Sequence, residues 1–257
     1  MTVCTEAVYL HDATLRTLAT EILSCQPISS LSEDEQSLGR TLAPEDSAIV
    51  MRQTILYPRG GGQPSDTGTI ALVDQEPTFT VSLVRKADDG KILHFGKPSN
   101  QDISFAEGQR VIQNVDAERR DYHSRLHTGG HILGVAMEML MPGLKEVKAN
   151  HAPGEACLEF EGLLYNEHKA SIQEKLDDLV KQDLPILISW AGDGSGLKSL
   201  GKDREGAIRI VSIGGLDQTP CGGTHVSRTS QVGHVEVRKV SRQKGISRVS
   251  YEVPSIM

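Results

Sequence analysis

Long apolar runs are absent from this sequence of 257 residues. No stretch approaches the roughly 18 uninterrupted apolar residues of a membrane-spanning helix, and no basic segment precedes an apolar one at the N-terminus, as in a secretion signal. Hydrophobic residues still form 38% of the chain, which is enough for the core of one large domain or two ordinary ones. We therefore expect a globular protein that is soluble and cytoplasmic, with no membrane partner.

Cysteine is also scarce, with Cys4, Cys25, Cys157 and Cys221 in the whole chain. Four scattered cysteines are too few for the disulfide framework that small secreted proteins use in place of a large core. We expect these cysteines to be reduced, which agrees with an intracellular location.

An excess of positive charge is missing as well, because the formal net charge is −7. The imbalance is confined to residues 1–117, which have 9 Lys and Arg against 16 Asp and Glu, whereas residues 118–257 have 18 of each. Residues 226–248 contain six Lys and Arg and one acid, a local net charge of +5. Such a segment suits the phosphates of a nucleic acid, although a solvated surface strand and turn explains the charge equally well.

The pattern of apolar residues changes near residue 117, where we place a domain boundary. Over residues 1–117, short apolar segments alternate with turn-forming Gly, Pro, Asp and Ser clusters at the intervals of antiparallel strands. This pattern predicts a small N-terminal β-barrel or sandwich that includes a glycine-rich loop.

Helical spacing begins after that boundary. Apolar residues at three- and four-residue intervals predict a helix over residues 118–140, and a second helix is predicted from near Asn166 to before Pro185. Strand patterns lie between and after the helices, so residues 118–257 are predicted to form a two-layer α+β domain with an antiparallel sheet. We expect the polar segment over residues 191–206 to be a long mobile loop.

Two short motifs, ninety residues apart, each place two metal-binding side chains four positions apart beside a pair of glycines. HTGGH places His127 and His131 one turn apart on one face of the predicted helix, where two imidazoles can bind one ion. CGGTH places Cys221 and His225 on a tight loop whose glycines let both side chains point one way. Either motif alone is a weak signal, but together they supply three imidazoles and one thiolate, a tetrahedral zinc set.

The residues inside the first motif limit what such a site does. Thr128 stands where HExxH metalloproteases have their general base, so that mechanism is not predicted. Gly129 and Gly130 each weaken the helix by roughly 1 kcal/mol relative to alanine, so we expect another part of the protein to come close to the backbone there. Spacing alone leaves open whether the site is structural or admits water or substrate.

A third motif, YPRGGGQPSDTG, covers residues 57–68 and contains three successive glycines. Their unhindered backbone N–H groups suit the close approach of a carbonyl, an oxyanion or a phosphate. The motif lacks the GxxxxGK[ST] ending of a P-loop, and on its own it is more simply interpreted as an ordinary hairpin.

The three motifs, in this order and followed by GHVEVRKVSRQKGISRVSYEV, resemble the AlaX-type alanyl-tRNA editing proteins and the editing domain of alanyl-tRNA synthetase. The resemblance covers roughly residues 45–257, and the length is similar to the medium-sized AlaX form, which has no synthetase catalytic domain. It implies that the chain hydrolyses the ester of tRNA(Ala) wrongly charged with serine, and often glycine. It also implies a zinc ion held by His127, His131, Cys221 and His225.

The resemblance places the glycine loop, residues 60–62 with Gln63, over the aminoacylated 3′ end of the tRNA. Because the ester is intrinsically labile, we expect positioning and oxyanion stabilisation to suffice for the attack of water. We expect backbone N–H groups of Gly61 and Gly62 to donate to the oxyanion and Gln63 to orient water or substrate. The zinc would polarise the ester, activate water, or anchor the amino group or the ribose.

The residues predicted to contact the tRNA come from the basic segment, and no DNA partner is expected. They are Arg238, Lys239, Arg242 and Lys244. Among the other histidines, His123, His151 and His234 are expected at the surface or in the core, with only His123 able to reach the metal neighbourhood.

One departure from the family pattern leaves the preference for serine open. The family commonly has HTATH or HTALH, whereas Gly129 and Gly130 occupy the middle here, where they would enlarge the pocket or loosen the helix. Two alternative functions remain: the same scaffold acting on another small aminoacyl ester or amide, and a non-catalytic module with structural zinc that binds tRNA or a synthetase.

Overall fold

The computed structural model of the chain describes residues 4–73, 78–100, 104–193 and 206–255. The chain divides into two compact units. Unit 1 comprises Met1–Gly60 and Ser65–Arg120, and unit 2 comprises Gly61–Pro64 and Asp121–Met257. The tip of the glycine loop therefore belongs to unit 2, although the residues on both sides of it belong to unit 1.

Strands make up most of unit 1, and its described part also includes one short α-helix. Its elements are β1 (Glu6–Ala7), β2 (Thr17–Pro27), α1 (Glu33–Leu38), β3 (Ser47–Met51), β4 (Gln53–Thr54), β5 (Gly68–Leu72), β6 (Thr78–Lys86), β7 (Ile92–Pro98) and β8 (Arg110–Val115). Six strands form a closed barrel in the order β2, β3, β7, β6, β5, β8. The predicted N-terminal barrel is confirmed.

The barrel closes because β8 pairs antiparallel with both β5 and β2. Alternate residues of its strands point inward, as Phe79 and Val81 do from β6, and are fully or almost fully buried. The 11-residue strand β2 has no clear strand pattern in the sequence, because Thr, Glu, Ser and Gln interrupt its apolar residues. Only Thr20 and Ile22 of that strand are buried.

Residues on both sides of the glycine loop are joined by polar contacts within unit 1. Tyr57 and Asp66 exchange two hydrogen bonds, from the Tyr57 N–H to the Asp66 carboxylate at 2.6 Å and from the Asp66 N–H to the Tyr57 carbonyl at 3.0 Å. The Asp66 carboxylate forms an ion pair with Arg120, and both side chains are fully buried. A buried carboxylate needs such a partner, so the ion pair stabilises Asp66, whose hydrogen bonds to Tyr57 join the two ends of the loop.

The described residues of unit 2 form two α-helices and two antiparallel sheets. Its elements are α2 (Ala117–Leu140, whose first four residues belong to unit 1), β9 (Lys145–Asn150), β10 (Cys157–Glu161), α3 (Lys169–Lys181), β11 (Ile186–Asp193), β12 (Ala207–Ile213), β13 (Thr219–Pro220), β14 (Glu236–Gln243) and β15 (Ile246–Glu252). One sheet has the order β14, β15, β10, β9, and the other has the order β11, β12, β13. The predicted α+β class is confirmed.

Apolar side chains of both helices and of the four-stranded sheet form one core. Leu133 and Met137 of α2, Leu176 of α3, and Phe160 and Val249 of the sheet are all buried in it. The predicted first helix is present almost as expected, and the second begins with a short 3-10 turn, Asn166–His168, that leads into α3. Periodic apolar residues thus form the inner helix faces.

Two other sequence expectations concern membrane-spanning helices and the polar segment over residues 191–206. Among the described residues, none of the helices combines the length and apolarity needed to cross a lipid bilayer. The polar segment expected to be a mobile loop begins inside β11, which extends to Asp193, and its residues 194–205 lie outside the described residues.

Candidate metal centre and glycine loop

The structure brings together all four side chains of the HTGGH and CGGTH motifs. His127 and His131 lie one turn apart on α2, with their ring centroids 5.1 Å apart. Cys221 and His225 follow β13 in irregular backbone, as the glycines of that motif predict. One ligand atom from each of the four residues lies within 4.8 Å of the other three. This group can hold one metal ion.

The glycine loop determines which nitrogen of His127 is available to a metal. The backbone N–H of Thr224 donates to Oε1 of Gln63 at 3.1 Å, which identifies that atom as the amide oxygen. Nδ1 of His127 lies 2.6 Å from the same oxygen and therefore must be the protonated donor. In the neutral ring this leaves Nε2 with a free lone pair for coordination.

Thr128 determines which nitrogen of His225 is available to a metal, as Gln63 does for His127. It is the residue in the position of the metalloprotease glutamate. Its hydroxyl donates to the carbonyl of Ser124 at 2.8 Å, so its oxygen accepts from Nδ1 of His225 at 3.1 Å. Nε2 of His225 is thus left unprotonated as well. Outer hydrogen bonds of this kind fix the tautomer and orientation of a metal-binding histidine.

The contacts of the Cys221 sulfur favour a shared cation. Sγ lies 3.4 Å from Nε2 of His127 and 3.4 Å from Nε2 of His225. A thiol has one hydrogen and neither nitrogen has any, so the two contacts cannot both be hydrogen bonds. A tetrahedral zinc with bonds of about 2.3 Å to sulfur and about 2.0 Å to nitrogen separates these atoms by about 3.5 Å. The donor set and its spacing therefore fit zinc.

Arg209, which was not predicted as a site residue, holds the loop that contains Cys221 in place. Its side chain is fully buried, and Nη1 donates to the carbonyls of Cys221 at 2.8 Å and Gly223 at 3.0 Å. A β-carbon at Gly223 would lie 2.0 Å from Cε1 of His127, so only glycine permits this approach. An arginine inside the apolar strand pattern AIRIVSI was the available signal.

Burial sets the protonation of the ligands. It lowers the pKa of His131 to about 4 and is the largest cause that holds the pKa values of His127 and His225 well below their usual range. Burial also raises the pKa of the Cys221 thiol, while the N–H of Gly223 and the charge of Arg209 oppose that rise. The imidazoles are therefore neutral at pH 7, the form that binds metal ions.

The glycine loop adopts a backbone conformation that favours glycine. Gly61 and Gly62 have φ angles of 54° and 78°, in the left-handed region. The carbonyl of Gly62 accepts a hydrogen bond from the N–H of His151 at 2.8 Å, and a β-carbon at Gly62 would lie 2.8 Å from the carbonyl oxygen of Ala149. The loop tip therefore lies against the end of β9, and the next residue, Gln63, contacts a metal-ligand histidine.

Comparisons with known proteins bear on both ends of the chain. A family model described as class II tRNA synthetases (A) matches residues 5–119, and one described as the second additional domain of threonyl and alanyl tRNA synthetases matches residues 208–250. An alanyl-tRNA editing protein AlaX-M from Pyrococcus horikoshii is 30% identical over 211 residues, which are 80% of this chain and 87% of the relative. The chain belongs to the AlaX family of alanyl-tRNA editing proteins.

Longer members of the wider group match as well. The chain is 28% identical over 220 residues to an alanine-tRNA ligase from Methanosphaera stadtmanae and 32% identical over 210 residues to the AlaX-L protein of Pyrococcus horikoshii. It spans about a quarter of the ligase and half of AlaX-L, because the matches cover 24% and 50% of those proteins.

The structure explains how this AlaX family member accommodates glycines inside its HTGGH motif. A β-carbon at Gly130 would lie 2.4 Å from Cε1 of His151 and 2.6 Å from Oη of Tyr251, whereas one at Gly129 would approach nothing closer than 3.3 Å. The expected close approach to the helix backbone is therefore present at Gly130. The side chains of His151 and Tyr251 occupy the space that a side chain at position 130 would need, so Gly130 does not simply enlarge a pocket.

His151 lies next to the metal ligands, although the sequence suggested only His123 for that neighbourhood. Its ring stacks on that of His127, with centroids 4.2 Å apart and planes 21° apart, and its centroid lies 6.4 Å from that of His131. The ring is 3% exposed. No local pattern around His151 signals this contact, which joins residues 24 positions apart in sequence.

The basic segment has less free charge in the structure than in the sequence. Arg228 forms an ion pair with Asp183 at 2.7 Å, and Arg238 forms one with Glu252 at 3.2 Å. Both acids lie outside residues 226–248, so the local count of charges does not include them. Of the four residues predicted to contact tRNA, Arg238 is thus already paired.

The other three predicted contacts lie along β14 and the turn that follows it. Lys239, Arg242 and Lys244 are exposed, and the Arg242 guanidinium lies 4.8 Å from the ring centroid of Tyr165, which is itself 45% exposed. Lys244 occupies the β14–β15 turn with a φ of 52°. Cations beside an exposed aromatic ring form a surface suited to RNA.

We expect Gln63→Ala to weaken metal binding by roughly 10- to 100-fold, the usual cost of losing an outer hydrogen bond to a ligand histidine. The substitution removes the acceptor of the His127 N–H and leaves that ring free to change tautomer. Gln63→Glu keeps an oxygen for His127 and for the Thr224 N–H, so it should retain most of the affinity. Competition with a chromogenic chelator measures both variants, and equal affinities for Ala, Glu and parent would contradict this role.

Proposed function

We propose that the chain is a trans-editing hydrolase that deacylates mischarged tRNA(Ala), chiefly seryl-tRNA(Ala) and also glycyl-tRNA(Ala), with zinc at the four-ligand centre. The observation that supports it most is the hydrogen bond between Gln63 of the glycine loop and His127 of the metal centre, at 2.6 Å. This contact joins all three motifs, because Gln63 also bonds Thr224 of CGGTH. Membership in the AlaX family supports the same substrate class.

In this proposal each part of the site has one task. When bound, zinc supplies a Lewis-acidic positive charge next to the scissile ester. Gln63 and Thr128 hold the two histidine rings, and Arg209 holds the Cys221 loop, so the centre needs no rearrangement during the reaction. Backbone N–H groups of Gly61 and Gly62 donate to the oxyanion that forms when water attacks the ester carbonyl.

Selectivity against correctly charged tRNA(Ala) has to come from a polar contact. A pocket wide enough for serine cannot exclude alanine by size, since alanine is smaller by one hydroxyl group. A site that hydrogen-bonds the serine hydroxyl disfavours alanine, because one of its own polar groups then stays unpaired.

Deacylation of seryl-, glycyl- and alanyl-tRNA(Ala) by the purified protein tests the proposal. We expect rapid release of serine and much slower release of glycine and alanine, which both lack the hydroxyl, with all activity lost on treatment with a strong chelator and regained with zinc. Tight tRNA binding without hydrolysis would favour a binding module instead. Hydrolysis of a different small aminoacyl ester, with seryl-tRNA(Ala) left intact, would show a scaffold redirected to another substrate.

We expect the exposed cations of β14 and its turn to contribute to tRNA affinity. Changing Lys239, Arg242 and Lys244 together to alanine should weaken binding and reduce the slope of log affinity against log salt by about 0.7 to 0.9 per lost phosphate contact. Arg238→Ala should have a smaller effect, because Glu252 already neutralises that guanidinium. Filter binding at several salt concentrations gives both quantities.

Arg228→Ala is the matched control, since it removes an ion-paired arginine from the same basic segment. If the triple variant changes affinity and salt slope no more than Arg228→Ala does, the tRNA binds elsewhere on the protein.

A further inference from the structure

A chain of hydrogen bonds fixes the tautomer of His151. The hydroxyl of Tyr251 donates to the carbonyl of Leu126 at 3.0 Å, so its one hydrogen is used there. The Tyr251 oxygen lies 2.6 Å from Nδ1 of His151 and therefore accepts the Nδ1 hydrogen. In the neutral ring, Nε2 is then an acceptor, and among the residues that the structure describes no hydrogen bond to it is present.

The edge of the His151 ring that contains Nε2 lies between Gly130 of the HTGGH helix and Gly62 of the glycine loop. Cε1, on one side of Nε2, lies 2.4 Å from where a Gly130 β-carbon would be, and Cδ2, on the other side, lies 3.1 Å from where a Gly62 β-carbon would be. The backbone N–H of His151 holds the Gly62 carbonyl at 2.8 Å, and the ring stacks on His127. The two carbon neighbours of Nε2 therefore face Gly130 and Gly62, and the ring as a whole lies against a histidine of the candidate metal centre.

We propose that His151 is a specificity-determining residue whose Nε2 accepts a hydrogen bond from the side-chain hydroxyl of the seryl ester. This inference rests on the proposed function and names the polar contact that the selectivity requires. A seryl group satisfies the acceptor, whereas an alanyl or glycyl group leaves a largely buried lone pair without a donor. Loss of one such hydrogen bond corresponds to a roughly 10- to 100-fold change in relative rate.

The ratio of kcat/KM for seryl-tRNA(Ala) to that for glycyl-tRNA(Ala) tests this role. His151→Phe keeps an aromatic ring to stack on His127 and removes the acceptor. The ratio should fall by about 10-fold or more, because the seryl substrate loses its hydrogen bond and the glycyl substrate no longer leaves an acceptor unpaired. His151→Gln retains an acceptor and should recover part of the ratio. Metal content and melting temperature of both variants are compared with the parent, so that a general loss of structure is recognised.

Two results would overturn the inference. An unchanged ratio in His151→Phe would show that His151 does not hydrogen-bond the seryl hydroxyl. An equal fall in kcat/KM for both substrates at full metal content would show that His151 contributes to hydrolysis of any aminoacyl ester and not to specificity. Failure of the proposed function looks different, because the parent protein itself would then hydrolyse neither ester.

Nitrogen-15 NMR of the imidazoles gives a readout that does not depend on activity. The His151 resonances should show a protonated Nδ1 and an unprotonated Nε2, and Tyr251→Phe should disturb this preference by removing the acceptor of the Nδ1 hydrogen. A non-hydrolysable seryl amide of 3′-aminoadenosine should shift the Nε2 resonance upfield, and the glycyl amide should not. A protonated Nε2, or equal shifts with both amides, would refute the proposal even in an inactive protein.

Discussion

Cys221→Ala is expected to lower bound zinc from about one equivalent per chain to almost none. The substitution removes the sulfur from the candidate ligand set and leaves three imidazoles, two of which have a nitrogen 3.4 Å from that sulfur. Because ligand binding to the folded state adds to its stability, the melting temperature should fall as well. Elemental analysis and thermal unfolding with and without a chelator measure the two effects.

Cys25→Ala is the control for this substitution. Cys25 is a half-buried free cysteine of β2 in unit 1 and is not one of the four candidate ligands, so its removal changes the same chemical group at another position. Its metal content should match the parent. Unchanged zinc in Cys221→Ala would end the four-ligand interpretation, and full hydrolysis by a zinc-free Cys221→Ala protein would make the metal purely structural.

Gly62→Ala is expected to reduce the deacylation rate of seryl-tRNA(Ala) by about 100-fold or more, the usual cost of losing one oxyanion donor. The new β-carbon would lie 2.8 Å from the carbonyl oxygen of Ala149, a backbone atom that cannot rotate away. The φ angle of 78° is itself unfavourable for alanine. The loop must therefore move, and its N–H groups move away from the ester with it.

Gly143→Ala separates this displacement from the general cost of a left-handed alanine. Gly143 has a φ of 82° in the same unit, and a β-carbon there would meet nothing within 4 Å. Gly143→Ala should lower the free energy of unfolding by roughly 1 kcal/mol, the cost of a left-handed alanine, but keep the parental activity. A near-parental rate in a zinc-loaded Gly62→Ala protein would show that the loop is a plain hairpin and leave hydrolysis to the metal centre.

Local sequence patterns were sufficient for the elements that support the site. The three- and four-residue apolar spacing after residue 117 predicted α2, because a helix buries one face of a short stretch of chain. The spacing within HTGGH and CGGTH predicted that each pair of ligands points one way, since one helical turn or one glycine turn determines that geometry. The same patterns did not predict β2, because polar residues obscure the alternation of its buried and exposed positions. Its place in the barrel depends on pairing with β3 and β8.

The tertiary structure alone decided which groups surround the ligands. Gln63 reaches His127 across 64 residues of sequence, and Tyr251 reaches His151 across 100, so no local spacing encodes either contact. Hydrogen-bond partners of buried groups are chosen by the packing of distant segments, which must satisfy each polar atom that they bury. The sequence predicted which four side chains could bind a metal, and the fold brings them together, but only the fold showed that Arg238 is already neutralised by Glu252.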